Sequence, residues 1–308
     1  MKNYLSFHLD GKQLFPYWIS TYILGIVLVI IYSIRSKAIL NGDNSFGTSV
    51  MLVLTFLLLV GVIYIFYYYV LKFTTDNTEY QGERLATSYT ISEFLRTFVL
   101  GTFLSLITLG IYLPWFVQRL MVFFIEGSSY KGVRYKFDGD GLTLFGIFTL
   151  LMVVPIMAIS FLAIALYGVQ SVEEGILLNV YQLVALAPLY TLLLKWMVNG
   201  SYNGYRISLK VDFFRFMGFI FLHLLLTVIT VGIYFPLFYL KIYKYVLSHT
   251  SCENAAGDRV ALDYDLEQGG DFMLIWGQLL LTIVTLGIYL PWAYTRITER
   301  VFSKTSLE

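Results

Sequence analysis

Three cations recur at one spacing. Arg119, Lys241 and Arg296 each fall five residues after a proline, Pro114, Pro236 and Pro291, within a Gly-Ile-Tyr-x-Pro context. At roughly 1.5 Å per residue, that places each cation about 7–8 Å into the helix the proline opens. Lys244, Ser248 and His249 extend one stripe, and Glu299, Arg300, Ser303 and Lys304 extend another, at helical spacings of three, four, seven and eight. Such a stripe has the chemistry of a basic lining for an anionic solute or a lipid headgroup. Two structural roles compete with it. The cations can pair with Glu93, Asp212 and Asp271, each at a helix start, or reach back to the aqueous boundary along their alkyl stems.

His223 is the other candidate, set between Leu222 and Leu224 in an apolar run. An ionisable group in such a run is a functional candidate by default; the competing role is a neutral ring bonded to a neighbouring carbonyl or hydroxyl. His8, His223 and His249 lie in different segments, and Cys252 is the lone cysteine. There is no Walker loop, no Gly-x-Ser-x-Gly and no His-Glu-x-x-His. No catalytic set, metal site or cofactor is expected, so the chain reads as a non-enzyme.

The elements that carry these residues belong to a membrane protein. Of 308 residues, 58% are hydrophobic and only 13% charged, against about 25% charged in soluble domains. The mean hydropathy is +0.72. The net charge of +1 excludes a polybasic nucleic-acid binder. The N-terminus lacks the layout of a cleaved signal peptide. Apolar runs come in five pairs: 15–34 with 50–73, 94–108 with 111–125, 142–167 with 176–198, 213–230 with 233–247, and 272–285 with 288–302. The first and third pairs reach the roughly 20 residues a bilayer-spanning helix needs. The expected fold is an α-helical polytopic membrane protein of about ten helices, forming a single membrane domain over residues 1–308.

Two signatures divide that domain into repeats. Thr108-Leu109-Gly110-Ile111-Tyr112-Leu113-Pro114-Trp115 returns as residues 230–237 and 285–292. Gly110, Gly232 and Gly287 are expected to end a helix in the left-handed conformation. Pro114, Pro236 and Pro291 are expected to open the next one, and Tyr112, Tyr234 and Tyr289 suit the membrane interface. The second signature is Gly-x-Arg, at Gly82, Gly132, Gly204 and, more weakly, Gly257. Each copy leads into alternating residues: Thr87-Tyr89-Ile91, Ile207-Leu209-Val211, Val260-Leu262-Tyr264-Leu266. This is the period of a half-buried strand. Leu5, Phe7 and Leu9 supply a strand without its leader. The expected unit is strand-helix-turn-helix, used five times, over approximately 5–77, 78–127, 128–199, 200–256 and 257–308. Leu307-Glu308 has the look of a cloning remnant, and no strand is expected after Phe302. The economical closure has Leu5–Asp10 supply it.

The Thr-Leu-Gly-Ile-Tyr-Leu-Pro-Trp block, the cation five residues after its Pro, the Gly-x-Arg and the aromatic strand together resemble the YjgN-like bacterial inner-membrane family, catalogued as a domain of unknown function. The resemblance is best over 93–141 and 212–302 and brings no reaction or substrate. Charge sets the orientation. Only Arg35 and Lys37 fall near the loops opposite the strands, which otherwise hold Asp43, Glu173 and Glu174. Lys/Arg-rich short loops stay in the cytoplasm, so both termini are expected there. The function expected is that of a transporter- or channel-like protein for a small anionic solute or lipid headgroup, with membrane lipids as partners and no nucleic acid. The alternative is a non-transporting scaffold or a lipid- or protein-binding module.

Overall fold

The computed structural model describes residues 2–42, 45–168 and 172–308; Asp43, one of the acidic loop residues, lies outside them. The strands are β1 (Asn3–Phe7), β2 (Thr78–Tyr80), β3 (Glu83–Arg84), β4 (Ala86–Thr87), β5 (Ser128–Tyr130), β6 (Val133–Phe137), β7 (Asn199–Tyr202), β8 (Tyr205–Leu209), β9 (Thr250–Glu253), β10 (Arg259–Val260), β11 (Leu262–Tyr264) and β12 (Thr305–Leu307). The helices are α1 (Gly11–Leu40), α2 (Phe46–Asp76), α3 (Ile91–Ile107), α4 (Leu113–Glu126), α5 (Gly141–Phe148), α6 (Val154–Tyr167), α7 (Val172–Met197), α8 (Phe213–Ile229), α9 (Phe235–His249), α10 (Gln268–Val284) and α11 (Leu290–Phe302). A π-helical segment, Thr149–Val153, joins α5 to α6. Counting that run once gives ten helices among the described residues, as the apolar pairs predict. Four are long and apolar enough to cross a membrane: Gly11–Leu40, Phe46–Asp76, Gly141–Tyr167 and Val172–Met197.

Helix starts follow from local chemistry. Asp10, Ser45, Asp140 and Asp212 cap α1, α2, α5 and α8 through side-chain oxygens, and Thr90 with Glu93 forms a capping box on α3. The π segment has an identifiable cause. Pro155 cannot donate to Leu151, four residues back; the freed Leu151 carbonyl accepts from the Tyr181 hydroxyl instead.

The chain divides into two units. The first holds residues 1–5, 88–272 and 304–308. Within it, six strands of the larger sheet run in the order β10-β9-β8-β7-β6-β5. β5–β6 and β7–β8 are two-residue hairpins whose turn residues, Lys131-Gly132 and Asn203-Gly204, all have positive φ. That is the type I′ geometry, which matches strand twist and favours Gly second. The Gly-x-Arg signature is therefore the middle of a β-hairpin, with a short strand before the glycine as well as the expected one after it. Phe137, Leu144, Ile147, Leu189 and Trp196 form one core cluster. Ala187, Leu209, Phe216, Ile220, Phe238 and Ile242 form another.

The expected strands are shorter than their alternation: β8 ends at Leu209, before Val211, and β1 at Phe7, before Leu9. Thr87 ends β4, Thr90 caps α3 and Ile91 is already helical, because capping wins over strand pairing there. Val260–Leu266 is divided, with β10 on β9 and β11 on β12. β12 corrects the expectation that no strand follows Phe302. Thr305–Leu307 pairs with Leu262–Tyr264 on one side and, through Ser306 and Leu307, with Tyr4 and Asn3 on the other. Lys2 bridges Asp263 and Asp265, and the Tyr4 hydroxyl donates to Asp265 at 2.5 Å.

The second unit holds residues 6–87 and 273–303. α1 and α2 form its long hairpin. β2 and β3 form a third two-residue hairpin around Gln81-Gly82, again with both φ positive. Phe7, Leu9, Leu14 and Val70 make its core with Phe66, Phe73, Tyr294 and Phe302, so Phe7 and Leu9 do cover the base of the last hairpin as closure requires. Gly11 lies against the Trp292 ring with no room for a Cβ. In the first unit Gly141 lies against Trp115 in the same way.

Candidate functional site

The three turn motifs fold alike. α3, α8 and α10 end, and then Leu109, Val231 and Leu286 take left-handed φ of 51–52°. Gly110, Gly232 and Gly287 follow at φ of 87–92°. Glycine is thus the second left-handed residue, not the first as the sequence suggests. The reason is a hydrogen bond six residues wide: Gly110, Gly232 and Gly287 donate to Ser105, Thr227 and Thr282 at 2.7–2.8 Å. The threonine closes the loop. Thr108, Thr230 and Thr285 Oγ1 accept from the backbone N–H of Tyr112, Tyr234 and Tyr289 at 3.0–3.1 Å. Pro114, Pro236 and Pro291 lie in the first turn of the returning helix and are buried.

Two of the three cations, Arg119 and Lys241, turn back toward their motif tyrosines, the direction helical side chains favour. The Arg119 guanidinium lies over the Tyr112 ring at 5.5 Å. Lys241 Nζ donates to the Tyr234 hydroxyl at 3.0 Å and lies over the same ring at 5.5 Å. Arg296 is exposed on α11, and its tyrosine, Tyr289, donates instead to Gln278 at 3.0 Å. His223 is buried on α8; its Nδ1 lies 3.0 Å from the Phe219 carbonyl and its ring 5.9 Å from that of Tyr234. His223, Tyr234 and Lys241 all lie in the hairpin that the pair 213–230 and 233–247 predicts; the structure adds that the Tyr234 ring stands beside both of the others.

The carboxylates expected to neutralise the cations are occupied elsewhere. Glu93 accepts from Thr90 and Asp212 from the Arg215 N–H, both as caps. Asp271 is buried against Lys304 at 2.8 Å and accepts from Tyr264 and the Glu267 N–H. Among the described residues no ion pair involves Arg119, Lys241 or Arg296.

On the strand side, a pocket of about 410 Å³ is lined by Lys210, His249, Cys252, Glu253 and Arg259 among others. Both of its strongest cations already hold Glu253, Lys210 at 3.0 Å and Arg259 at 3.0 Å. The Lys210 hydrogen bond leads in holding the Glu253 carboxyl below its ordinary range.

A sequence model of the family described as bacterial protein of unknown function (DUF898) matches residues 3–263. The chain belongs to that family. The match bears out the resemblance drawn from the turn block and the Gly-x-Arg strands; it takes in residues before 93 that the block alone does not reach and ends before the third turn block at 285–292. No curated protein and no solved structure matches the chain.

Proposed function

We propose that the chain is a multi-pass protein of the bacterial inner membrane with both termini in the cytoplasm, built from five strand-helix-turn-helix repeats, and that it acts as a transporter- or channel-like protein for a small anionic solute or lipid headgroup. Four helices of membrane-crossing length support the location. The Lys/Arg asymmetry supports the orientation. The matching turns, the Asp10 and Asp140 caps and the paired Gly11–Trp292 and Gly141–Trp115 contacts support the repeats.

One observation carries the anion reading: at a single repeat position, on the returning helices of the short hairpins, stand three cations with no acidic partner among the described residues, Lys241 half-buried and Arg119 and Arg296 exposed. A cation held only by aromatic faces and a phenol keeps its charge available, and anions are its strongest remaining ligand. The test is the full chain in sealed liposomes, measuring phosphate uptake and the transfer of a fluorescent anionic lipid between leaflets. Arg119→Gln, Lys241→Gln and Arg296→Gln should each reduce one of these without unfolding the protein. Equal transport by wild type, variants and empty liposomes overturns the reading. The scaffold alternative is favoured by a different observation, the solid apolar cluster in which α8 and α9 pack on α7. It expects retention of lipid without transfer.

A further inference from the structure

We infer that the three short hairpins do not cross the bilayer: their tips end inside its hydrocarbon, against lipid acyl chains. The inference rests on the membrane location proposed above and is independent of the anion reading.

Length comes first. The helices of the short hairpins have 17 and 14, 17 and 15, and 17 and 13 residues. At roughly 1.5 Å per residue they reach only about 20–26 Å, while a hydrocarbon core is about 30 Å thick. Two tips can be placed against a long span in their own unit. Leu109, Gly110 and Ile111 share an apolar cavity of about 630 Å³ with Phe145, Phe148, Thr149 and Val153. All 14 residues of α6 still lie beyond that level, about 21 Å of apolar helix. In the second unit, Tyr22 donates to the Leu286 carbonyl at 2.6 Å and Trp18 to the Gly287 carbonyl at 2.9 Å. The apolar run of α1 continues to Ile34, 34 − 22 = 12 residues past Tyr22, or about 18 Å, before the charges of Arg35 and Lys37. Each tip therefore stops a leaflet or more short of the far end of its neighbouring span.

The tips are also chemically suited to hydrocarbon. Leu109 is 95% exposed, Val231 91% and Leu286 78%. Each sits at a left-handed position where water-exposed loops favour Asn or Gly, and for a β-branched residue such as Val231 that conformation is a genuine outlier. Ile111, Ile233 and Ile288 beside them are exposed too. Meanwhile the backbone leaves no donor free. Through the first turn, the N–H groups of residues 108 to 111 and 113 reach carbonyls, that of Tyr112 reaches Thr108 Oγ1, and Pro114 has none. The second turn repeats this with Thr230 and the third with Thr285. Water would call for neither apolar residues at those left-handed positions nor complete donor pairing; a bilayer interior favours the first and requires the second.

The test uses the full chain with Cys252→Ser in sealed vesicles of phosphatidylethanolamine and phosphatidylglycerol. Single cysteines are placed by Leu109→Cys, Val231→Cys and Leu286→Cys, with Ala256→Cys and Leu40→Cys marking the two faces. A membrane-impermeant maleimide should label the two markers from opposite sides and the tips from neither, at least tenfold more slowly, until detergent is added. Tips labelled at the marker rate from either face overturn this inference alone. Markers labelled from one face overturn the membrane location and this inference with it. Val231→Asn gives a second reading by its sign. It relieves backbone strain and would raise the thermal midpoint of a tip in water, whereas in lipid nanodiscs an embedded tip requires the midpoint to fall. A rise there overturns the inference.

Discussion

Replacing Thr230 by Val removes one oxygen and keeps the shape of the side chain. Thr230 Oγ1 donates to the Leu226 carbonyl at 2.7 Å and accepts from the Tyr234 N–H at 3.0 Å. The Leu226 carbonyl also takes the Thr230 N–H at 3.0 Å, so it keeps a partner after the change. The Tyr234 N–H does not. Its helical acceptor, the Thr230 carbonyl, already receives Ile233 at 3.1 Å. Leaving a donor unpaired away from water costs about 1–3 kcal/mol. A loss of about 2 kcal/mol follows for Thr230→Val in lipid nanodiscs, and the same for Thr108→Val and Thr285→Val. If the turn stood in water, a solvent molecule would replace the hydroxyl and the loss would stay below about 0.5 kcal/mol, as for ordinary surface changes. Thr230→Ser keeps the oxygen and serves as control. The assay is denaturant unfolding followed by tryptophan fluorescence. Val variants as stable as wild type, or Ser variants as weakened as Val, refute the reasoning.

Other perturbations address the strand layer. Gly204→Ala forces a Cβ into a type I′ turn at φ 81° and should cost about 1–2 kcal/mol in the same unfolding assay. Lys304→Met removes the cation nearest the buried Asp271 and should speed amide exchange at Thr305–Leu307 while β7 and β8 stay protected. The Asp265 carboxyl is held below its ordinary range, first by the Tyr4 hydrogen bond and then by Lys2. A depressed carboxylate stabilises the folded state above its unfolded value, about 3.9, and loses that contribution as pH falls through the lower folded value. Protection of the amides of Asn3–Leu5, taken relative to the intrinsic exchange rate at each pH, should therefore hold steady from neutral pH down to about 4 and fall below it, and Asp265→Asn should flatten that profile.

The turn motif was legible because its parts each have one local use: a threonine to accept, a glycine to turn, a proline with no donor to lose. The strands that precede Gly82, Gly132 and Gly204 were not. Thr78–Tyr80 and Ser128–Tyr130 are three residues long, too short to show a period of two. Their signal was the Gln-Gly, Lys-Gly and Asn-Gly pairs set between β-forming residues. β12 escaped for the same reason, three residues that become a strand only by lying between β11 and β1, both far from it in sequence. The expected cation–carboxylate pairs failed because sequence places Glu93, Asp212 and Asp271 near helix starts without saying that the backbone and Lys304 claim them first. Apolar runs reported ten helices correctly but not how far each reaches. Reach depends on which residue of a long helix stands beside a short hairpin's tip.

The position seven residues before the motif threonine shows where the hairpins part company. It holds Gly101, His223 and Gln278. The backbone around the three tyrosines is the same, so a purely structural role would need one solution for the hydroxyl. Three are present. Gly101 is filled by the Phe116 ring, and the Tyr112 hydroxyl has no partner among the described residues. Gln278 accepts from Tyr289. In the α8–α9 hairpin the hydroxyl accepts from Lys241, with the His223 ring beside it. That hairpin alone joins an imidazole, a phenol and an ammonium within one apolar pair of helices. On the proposed reading it is where anion binding should respond most to substitution. His223→Gln copies the side chain of the α10–α11 hairpin at that position, leaves room for the phenol, and removes only the titratable ring. Loss of anion transfer with retained stability would assign the ring to the site, and unchanged transfer would leave Lys241 and Tyr234 as its working pair.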